Sequence, residues 1–233
     1  MIILGIDTSS AACSCAVTRD GRLLAEKVMN SALTHSQTLM PAVDEILSGE
    51  GLKPSDVDLF AVVAGPGSFT GVRIGVCAVK AFCAALDKPC ARIDALEAMA
   101  EGTGFEGFIS PILDARRNQV YTALFRRVRG KLERVSEDTA LPLSEWLDGL
   151  RDKDAVFFTG DGLNTYEAYI RSAMGERAII SPMHNRVLRA SAACFIAENR
   201  PDIHMDAAAL TPLYLRLPQA ERERNERLTR RKA

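Results

Sequence analysis

Strands, a glycine-rich loop and a helix follow one another in the same order twice along this chain of 233 residues. Each half opens with three predicted strands, at 2–8, 13–18 and 23–28 in the first half and at 108–115, 120–128 and 131–135 in the second. Asp7 and Asp114 lie near the end of the first strand of each set, and Gly21 and Gly130 mark the hairpin turn before the third. The repeat predicts two similar α/β halves; the alternative is two strand-rich halves that look alike by chance.

A glycine-rich loop joins an apolar strand predicted at 59–63 to a helix predicted at 70–86, and it reads Gly65-Pro66-Gly67-Ser68-Phe69-Thr70-Gly71. Glycines let the backbone approach a ligand, and a hydroxyl cap would leave the first N–H groups of the helix free to bind an anion. The alternative is a tight strand-to-helix turn. The loop fits neither the Walker pattern, because no lysine follows, nor the dinucleotide fingerprint, because its last glycine comes one residue late. The second half repeats the arrangement at Gly160-Asp161-Gly162.

The helix predicted at 70–86 is apolar on nearly every side, with Arg73 and Lys80 as its only charges. Small side chains would let another backbone come close to it, at Gly75, Ala78, Ala81 and Ala85. The sequence therefore predicts a subunit interface here, with burial inside the same chain as the alternative. An amphipathic helix predicted at 35–48 precedes it.

The amino-acid composition indicates the cellular environment of the chain but says little about its function. The net charge of −1 gives no overall case for nucleic-acid binding, and the six cysteines form no Cys-x-x-Cys pair, which favours a reduced, cytoplasmic protein. Residues 1–7 resemble neither a signal peptide nor a membrane span. We predict a first domain at 1–103 and a second at 104–217, whose last helix (191–198) is a candidate to pack back on the first. A charged, disordered tail follows at 218–233, with RNA contact by its basic residues as the alternative.

The repeated unit, with an acid after the first strand of each half, resembles the actin-like ATPase superfamily (ASKHA, ribonuclease-H-like), an α/β fold of two βββαβα-type halves. The resemblance implies a nucleotide cleft between the halves, where a carboxylate holds magnesium through water and hydroxyls face phosphate. For Asp7, capping of the strand turn is the alternative. The implied nucleotide-cleft residues are Asp7, Thr8, Ser9, Gly65, Gly67, Ser68 and Asp114.

A narrower resemblance rests on five segments, which are similar to the TsaB (YeaZ) family: 4–9, 35–37, 65–75, 114–116 and 212–216. That family is the bacterial partner protein in synthesis of threonylcarbamoyladenosine on tRNA. Membership implies a non-catalytic subunit that binds and activates the catalytic paralogue TsaD together with the ATPase TsaE. It also implies a homodimer when alone, contact with tRNA only through the complex, no membrane, and no tightly bound cofactor, with ATP or ADP and Mg²⁺ held at the level of the complex. The implied partner-interface residues lie on the first two helices: His35, Leu39, Val43, Arg73, Ile74, Ala78, Ala81 and Phe82.

Departures from the catalytic paralogue bear on chemistry. TsaD carries two metal-binding histidines four residues apart, and the aligned positions here are Ala95 and Met99. No two histidines of this chain have that spacing, so we predict no metal site and no catalytic residue. Two alternatives remain: a stand-alone ATP-dependent phosphotransferase, for which Asp7 and Asp114 are the only candidate bases, and a metallopeptidase, against which the missing histidines argue.

Overall fold

The structure, a computed structural model, describes residues 1–31 and 33–216. The tail predicted at 218–233 lies outside these residues. The first half contains β1 (Ile2–Asp7), β2 (Cys13–Arg19), β3 (Arg22–Met29), α1 (His35–Gly49), β4 (Leu59–Val63), α2 (Phe69–Leu86), β5 (Cys90–Ile93) and α3 (Ala95–Glu101). The second half contains β6 (Gly107–Asp114), β7 (Gln119–Thr122), β8 (Phe125–Val128), β9 (Lys131–Arg134), β10 (Thr139–Pro142), α4 (Leu143–Asp148), β11 (Val156–Thr159), α5 (Leu163–Met174) and β12 (Ala178–Ile180). The chain closes with α6 (Ala190–Asn199) and β13 (His204–Met205).

The first sheet has the order β13-β5-β4-β1-β2-β3, with β4 parallel to both of its neighbours. Alternate residues of a strand point to opposite faces. On β4, Phe60 and Val62 therefore pack with α1 and α2, whereas Leu59, Ala61 and Val63 pack with α3 and α6. The prediction of a central, fully apolar parallel strand at 59–63 is confirmed.

The second sheet departs from prediction at 120–128. The prediction of a single strand over this range is wrong, because the segment forms two strands. β7 pairs with residues 112–114, near the end of β6, and β8 pairs with residues 107–109, near the start of β6. The break falls at Leu124, whose N–H donates to Ser136 Oγ at 2.8 Å and whose carbonyl accepts from Val135 N–H. Strand propensity within the segment does not reveal this break, because β7 and β8 both contain β-branched and aromatic residues, which are the types enriched in strands. The short elements β10, α4, β12 and β13 were not predicted.

Both hairpin turns are confirmed. Asp20-Gly21 and Arg129-Gly130 have positive φ at both residues, with 50° and 76° in the first turn and 52° and 77° in the second. This is the conformation that matches the twist of a two-residue hairpin.

The last part of the described chain returns to the first half. Helix α6 packs on β1, where a Cβ added to Gly5 would lie 2.6 Å from the Ala190 carbonyl oxygen, and β13 adds an antiparallel strand to β5. Helices α3 and α6 share one core with residues from both sheets, including Ile109 and Phe157 of the second. The halves are thus joined by a common apolar layer.

Among the described residues, α2 is the one helix that is long and apolar enough to cross a membrane by length and composition. Core helices of globular proteins meet the same criterion, and a third of α2 is buried against the rest of the chain.

Candidate functional site

A cleft of about 560 Å³ lies between the two halves. Its walls come from the turn after β1, the glycine-rich loop before α2, the turn after β6, the loop before α5, and the segment 213–216. We call this last segment, extended to 210–216, the strap. Carboxyl ends of strands from both halves therefore meet at one opening, as the duplicated fold requires.

The glycine-rich loop packs directly on the turn after β1. Cβ atoms added to Gly67 and Gly71 would overlap the carbonyl oxygens of Ser9 and Thr8. Thr8 Oγ1 donates to the Gly71 carbonyl at 2.7 Å and accepts from Gly75 N–H at 3.1 Å, so its hydroxyl is used inside the fold. These glycines permit backbone contact, which favours the tight-turn reading of the loop over a phosphate cradle.

Ser68 supplies the N-cap of α2, since its hydroxyl accepts from Gly71 N–H at 3.2 Å. Gly65 has a φ of 112°, and a Cβ there would lie 2.5 Å from the Leu213 carbonyl oxygen of the strap. Its conformation and its close approach to the strap both require glycine.

Asp7 is fully buried and does not line the cleft. One carboxylate oxygen accepts the Ser9 N–H at 2.8 Å, which is the turn cap considered above, and the other makes no hydrogen bond within the described chain. Burial raises the pKa of Asp7 to about 7, against the opposing effect of the Ser9 side chain and the Ser9 N–H beside the carboxylate. Neither the Asp7 carboxylate nor the Thr8 hydroxyl is accessible to a magnesium nucleotide in the cleft, so these two groups do not fit that ligand, whereas Ser9, Gly67 and Ser68 do line the cleft.

The second-half wall is acidic and unusual in backbone conformation. Asp114 is exposed, and its Oδ1 accepts the Arg116 N–H at 2.7 Å. Arg116, Arg117 and Asn118 all have positive φ, between 55° and 61°. Asp161 is not among the predicted cleft residues, yet it lines the cleft and accepts the Asp114 N–H at 3.2 Å.

The strap crosses the cleft from one half to the other. Its Leu213 N–H donates to the Ala64 carbonyl at 2.7 Å, and Arg216 donates to the Ala115 carbonyl at 3.2 Å in the second half. Tyr214 stacks on Phe69 with ring centroids 4.9 Å apart and accepts from Arg73 Nε at 2.8 Å.

The predicted partner interface on α1 and α2 needs one correction. Leu39 and Val43 are only 1% and 2% exposed, because they point into the core under α1; as interface residues they are wrong. Met40, on the outer side of α1 and 46% exposed, was not predicted.

The remaining predicted interface residues reach the surface at least in part. Ala81 and Arg73 are exposed, Ile74 and Ala78 are half-buried, and Phe82 is half-buried against Phe60. The apolar outer face of α2 therefore lies uncovered in the described chain.

His35 begins α1 and lines the cleft, with Nε2 2.9 Å from the Ser10 carbonyl oxygen. His204 Nε2 lies 2.8 Å from the Ala197 carbonyl oxygen. Within residues 1–31 and 33–216 no cluster of three or more His, Cys, Asp or Glu side chains is placed to hold a metal ion. All six cysteines are free thiols, five of them buried.

Comparison with known proteins adds sequence and fold relatives. The model of the family TsaD, tRNA N6-adenosine threonylcarbamoyltransferase, matches residues 23–223. The tRNA threonylcarbamoyladenosine biosynthesis protein TsaB of Bacillus subtilis is 38% identical over 95% of this chain and 96% of its own length. The protein of the same name from Haemophilus influenzae is 30% identical, with 93% and 94% covered.

Among solved structures, YeaZ from Pseudomonas aeruginosa superposes with a TM-score of 0.76 and 26% identity over 92% of this chain and 99% of that one. An activator of 2-hydroxyisocaproyl-CoA dehydratase from Clostridium difficile, solved with bound ADPNP, has a TM-score of 0.53 at 11% identity, covering 87% of this chain and 97% of its own. The second likeness concerns the fold alone. The predicted actin-like α/β fold of two halves is confirmed.

Proposed function

Since this chain belongs to the TsaB family of tRNA threonylcarbamoyladenosine biosynthesis proteins, we propose that it is the non-catalytic subunit that binds and activates TsaD, together with the ATPase TsaE. Its part in the modification of tRNA follows from the family. We expect it to work in the cytoplasm and to meet tRNA through the complex.

The uncovered apolar face of α2 is the observation that carries this proposal. The mean hydropathy of α2 is high enough for a membrane span, yet only a third of the helix is buried in this chain. One side of α2 packs on the core, and its other apolar side remains in contact with water. Ala78 and Ala81 on its outer side leave room for a partner helix to approach closely. Met40 of the neighbouring α1 extends the same apolar surface. We infer that TsaD covers this surface in the complex and that a second copy covers it when the chain is alone.

A glutamate at Ala81 is expected to weaken the association with TsaD by at least about tenfold, because a buried charge without a partner opposes docking. The measurement is co-purification with tagged TsaD, with light scattering to follow loss of the homodimer. Ala168→Glu is the matched control, since Ala168 is also exposed and lies on α5 of the second half. Unchanged co-purification of Ala81→Glu would overturn the interface.

The reaction itself tests the non-catalytic role. With TsaD, TsaE, tRNA and the threonylcarbamoyl donor present, omission of this chain should abolish the modification, and Ala81→Glu should reduce it in proportion to the lost association. Transfer of the threonylcarbamoyl group by the purified chain alone would contradict the proposal.

The cleft geometry opposes the alternative of a stand-alone phosphotransferase. Asp7 is sealed off from the cleft, and the Thr8 hydroxyl is already bonded on both sides. We expect titration calorimetry of the isolated chain with MgATP to show no binding in the micromolar range. Micromolar binding would restore the phosphotransferase as a candidate.

A further inference from the structure

Arg73 is the exposed charge on the otherwise apolar outer face of α2. The helix carries only one other charge, Lys80, which is half-buried and whose Nζ donates to the Leu210 carbonyl at 3.0 Å. Arg73 lies in line with Cys77 and Ala81, which are also exposed and follow it at helical i+4 and i+8 positions. A partner helix that packs along this line therefore meets the guanidinium of Arg73.

Two aromatic side chains fix this guanidinium in place. The Cζ atom of Arg73 lies 3.8 Å from the ring centroid of Phe69, and its Nε donates to the hydroxyl of Tyr214 at 2.8 Å. The two rings stack with their centroids 4.9 Å apart. Tyr214 belongs to the strap, which is anchored beside it by the bond from the Leu213 N–H to the Ala64 carbonyl. The arginine is therefore ordered before any partner arrives.

The outer edge of the same guanidinium is unused. Neither Nη atom of Arg73 has a hydrogen-bond or ion-pair partner within the described ranges 1–31 and 33–216. The bond to Tyr214 occupies the Nε N–H, so the N–H donors on both Nη atoms remain for a ligand. We call these two Nη groups the fork. One N–H from each Nη fits one oxygen of a carboxylate, which is the bidentate geometry that arginine prefers.

Docking on α2 requires an acceptor for the fork. When a partner covers the helix, water leaves the guanidinium, and a buried charge without a counter-charge opposes association. The acceptor must therefore come from the partner. A protein carboxylate is favoured over a nucleic-acid phosphate, because the outer face of α2 is apolar rather than basic and the chain has a net charge of −1.

We propose that the fork of Arg73 binds a carboxylate, an Asp or Glu side chain of the partner that covers α2. Tyr214 is the positioning residue, because it orients the guanidinium without using the donors that bind the carboxylate. This inference rests on the proposed function, in which TsaD is that partner. The strap thereby contributes to the docking surface as well as to the cleft.

The test measures the affinity of immobilised TsaD for wild type and variants by surface plasmon resonance. Arg73→Lys keeps the charge but loses the fork, so the affinity should fall by about tenfold. Tyr214→Phe keeps the stacked ring and loses the acceptor for Nε, and a loss of about threefold is expected. In an Arg73→Ala background, Tyr214→Phe should have no further effect, because it acts only through the arginine.

Arg126→Lys is the matched control. Arg126 is also exposed, and its Cζ lies 5.2 Å from the ring centroid of Phe108, but it belongs to β8 of the second half. This variant should bind TsaD as wild type does.

The outcomes separate the fork from the docking itself. If wild type binds TsaD and Arg73→Lys binds equally well, the fork is wrong and the proposed function stands. A Tyr214→Phe loss that persists in the Arg73→Ala background would also overturn the positioning role. Weaker tRNA binding by Arg73→Lys at unchanged TsaD affinity would assign the fork to phosphate and overturn the proposal. Failure of wild type to bind TsaD would overturn both the proposed function and the fork.

Discussion

Replacement of Gly71 by alanine is expected to lower the free energy of unfolding by about 3 kcal/mol. The new Cβ would overlap the backbone carbonyl oxygen of Thr8, and a backbone atom cannot rotate aside. Relief requires α2 to move away from β1, which breaks the bond from Thr8 Oγ1 to the Gly71 carbonyl. Urea unfolding followed by circular dichroism measures the loss.

Gly49→Ala is the matched control. Gly49 ends α1, an alanine Cβ there would meet nothing within 4 Å, and its φ is not positive. Alanine should therefore leave the stability unchanged or raise it by up to about 1 kcal/mol. A Gly71→Ala variant as stable as Gly49→Ala would show that the loop can move apart without cost.

Asp7→Asn is expected to stabilise the protein at pH 8 by on the order of 2 kcal/mol and to have little effect at pH 4. The folded-state pKa of Asp7, about 7, lies above the ordinary value of 3.8 because burial disfavours the charge. The folded chain then holds the proton more tightly than the unfolded chain. The stability that this proton contributes is fully present below pH 3.8 and is lost as the pH rises through 7. An amide keeps the oxygen that caps Ser9 N–H and carries no charge at any pH.

Unfolding in urea at several pH values between 4 and 8 measures this dependence. The exposed Asp44 on α1 provides the control substitution Asp44→Asn, whose effect should not follow the same pH course. A difference between wild type and Asp7→Asn that stays constant from pH 4 to pH 8 would contradict the assigned pKa.

Local sequence patterns were sufficient to predict most helices and strands of the first half. Apolar periodicity located α1 and α2 to within one residue, and glycine chemistry located the turn between β4 and α2. Periodicity also identified Leu39 and Val43 as an apolar stripe, but it cannot say whether a stripe faces the core or a partner. Only the position of α1 over the sheet resolves that question, and it places both side chains inside.

The residues that form the cleft could not all be predicted, because the cleft depends on contacts between residues far apart in the sequence. Asp161 stands between two glycines in the sequence, where an acidic residue is typical of a turn. Its position in the cleft depends on a contact with a residue distant in the sequence, because its carboxylate accepts the N–H of Asp114, which lies 47 residues earlier. The structural role of the strap was equally unpredictable. Its residues have no periodicity, and they acquire a role only by contact with Gly65, Phe69 and Ala115.

The position of α6 and β13 has a consequence for synthesis on the ribosome. They cover and extend the sheet formed by β1, β2, β4 and β5, yet they are translated after the whole second half. Until residues 190–205 leave the exit tunnel, the face of β1 around Gly5 and Ile3 stays exposed to water. The half that is translated first is therefore the last to complete its folding. The nascent chain with this sheet uncovered is the stage at which the protein has most need of a chaperone.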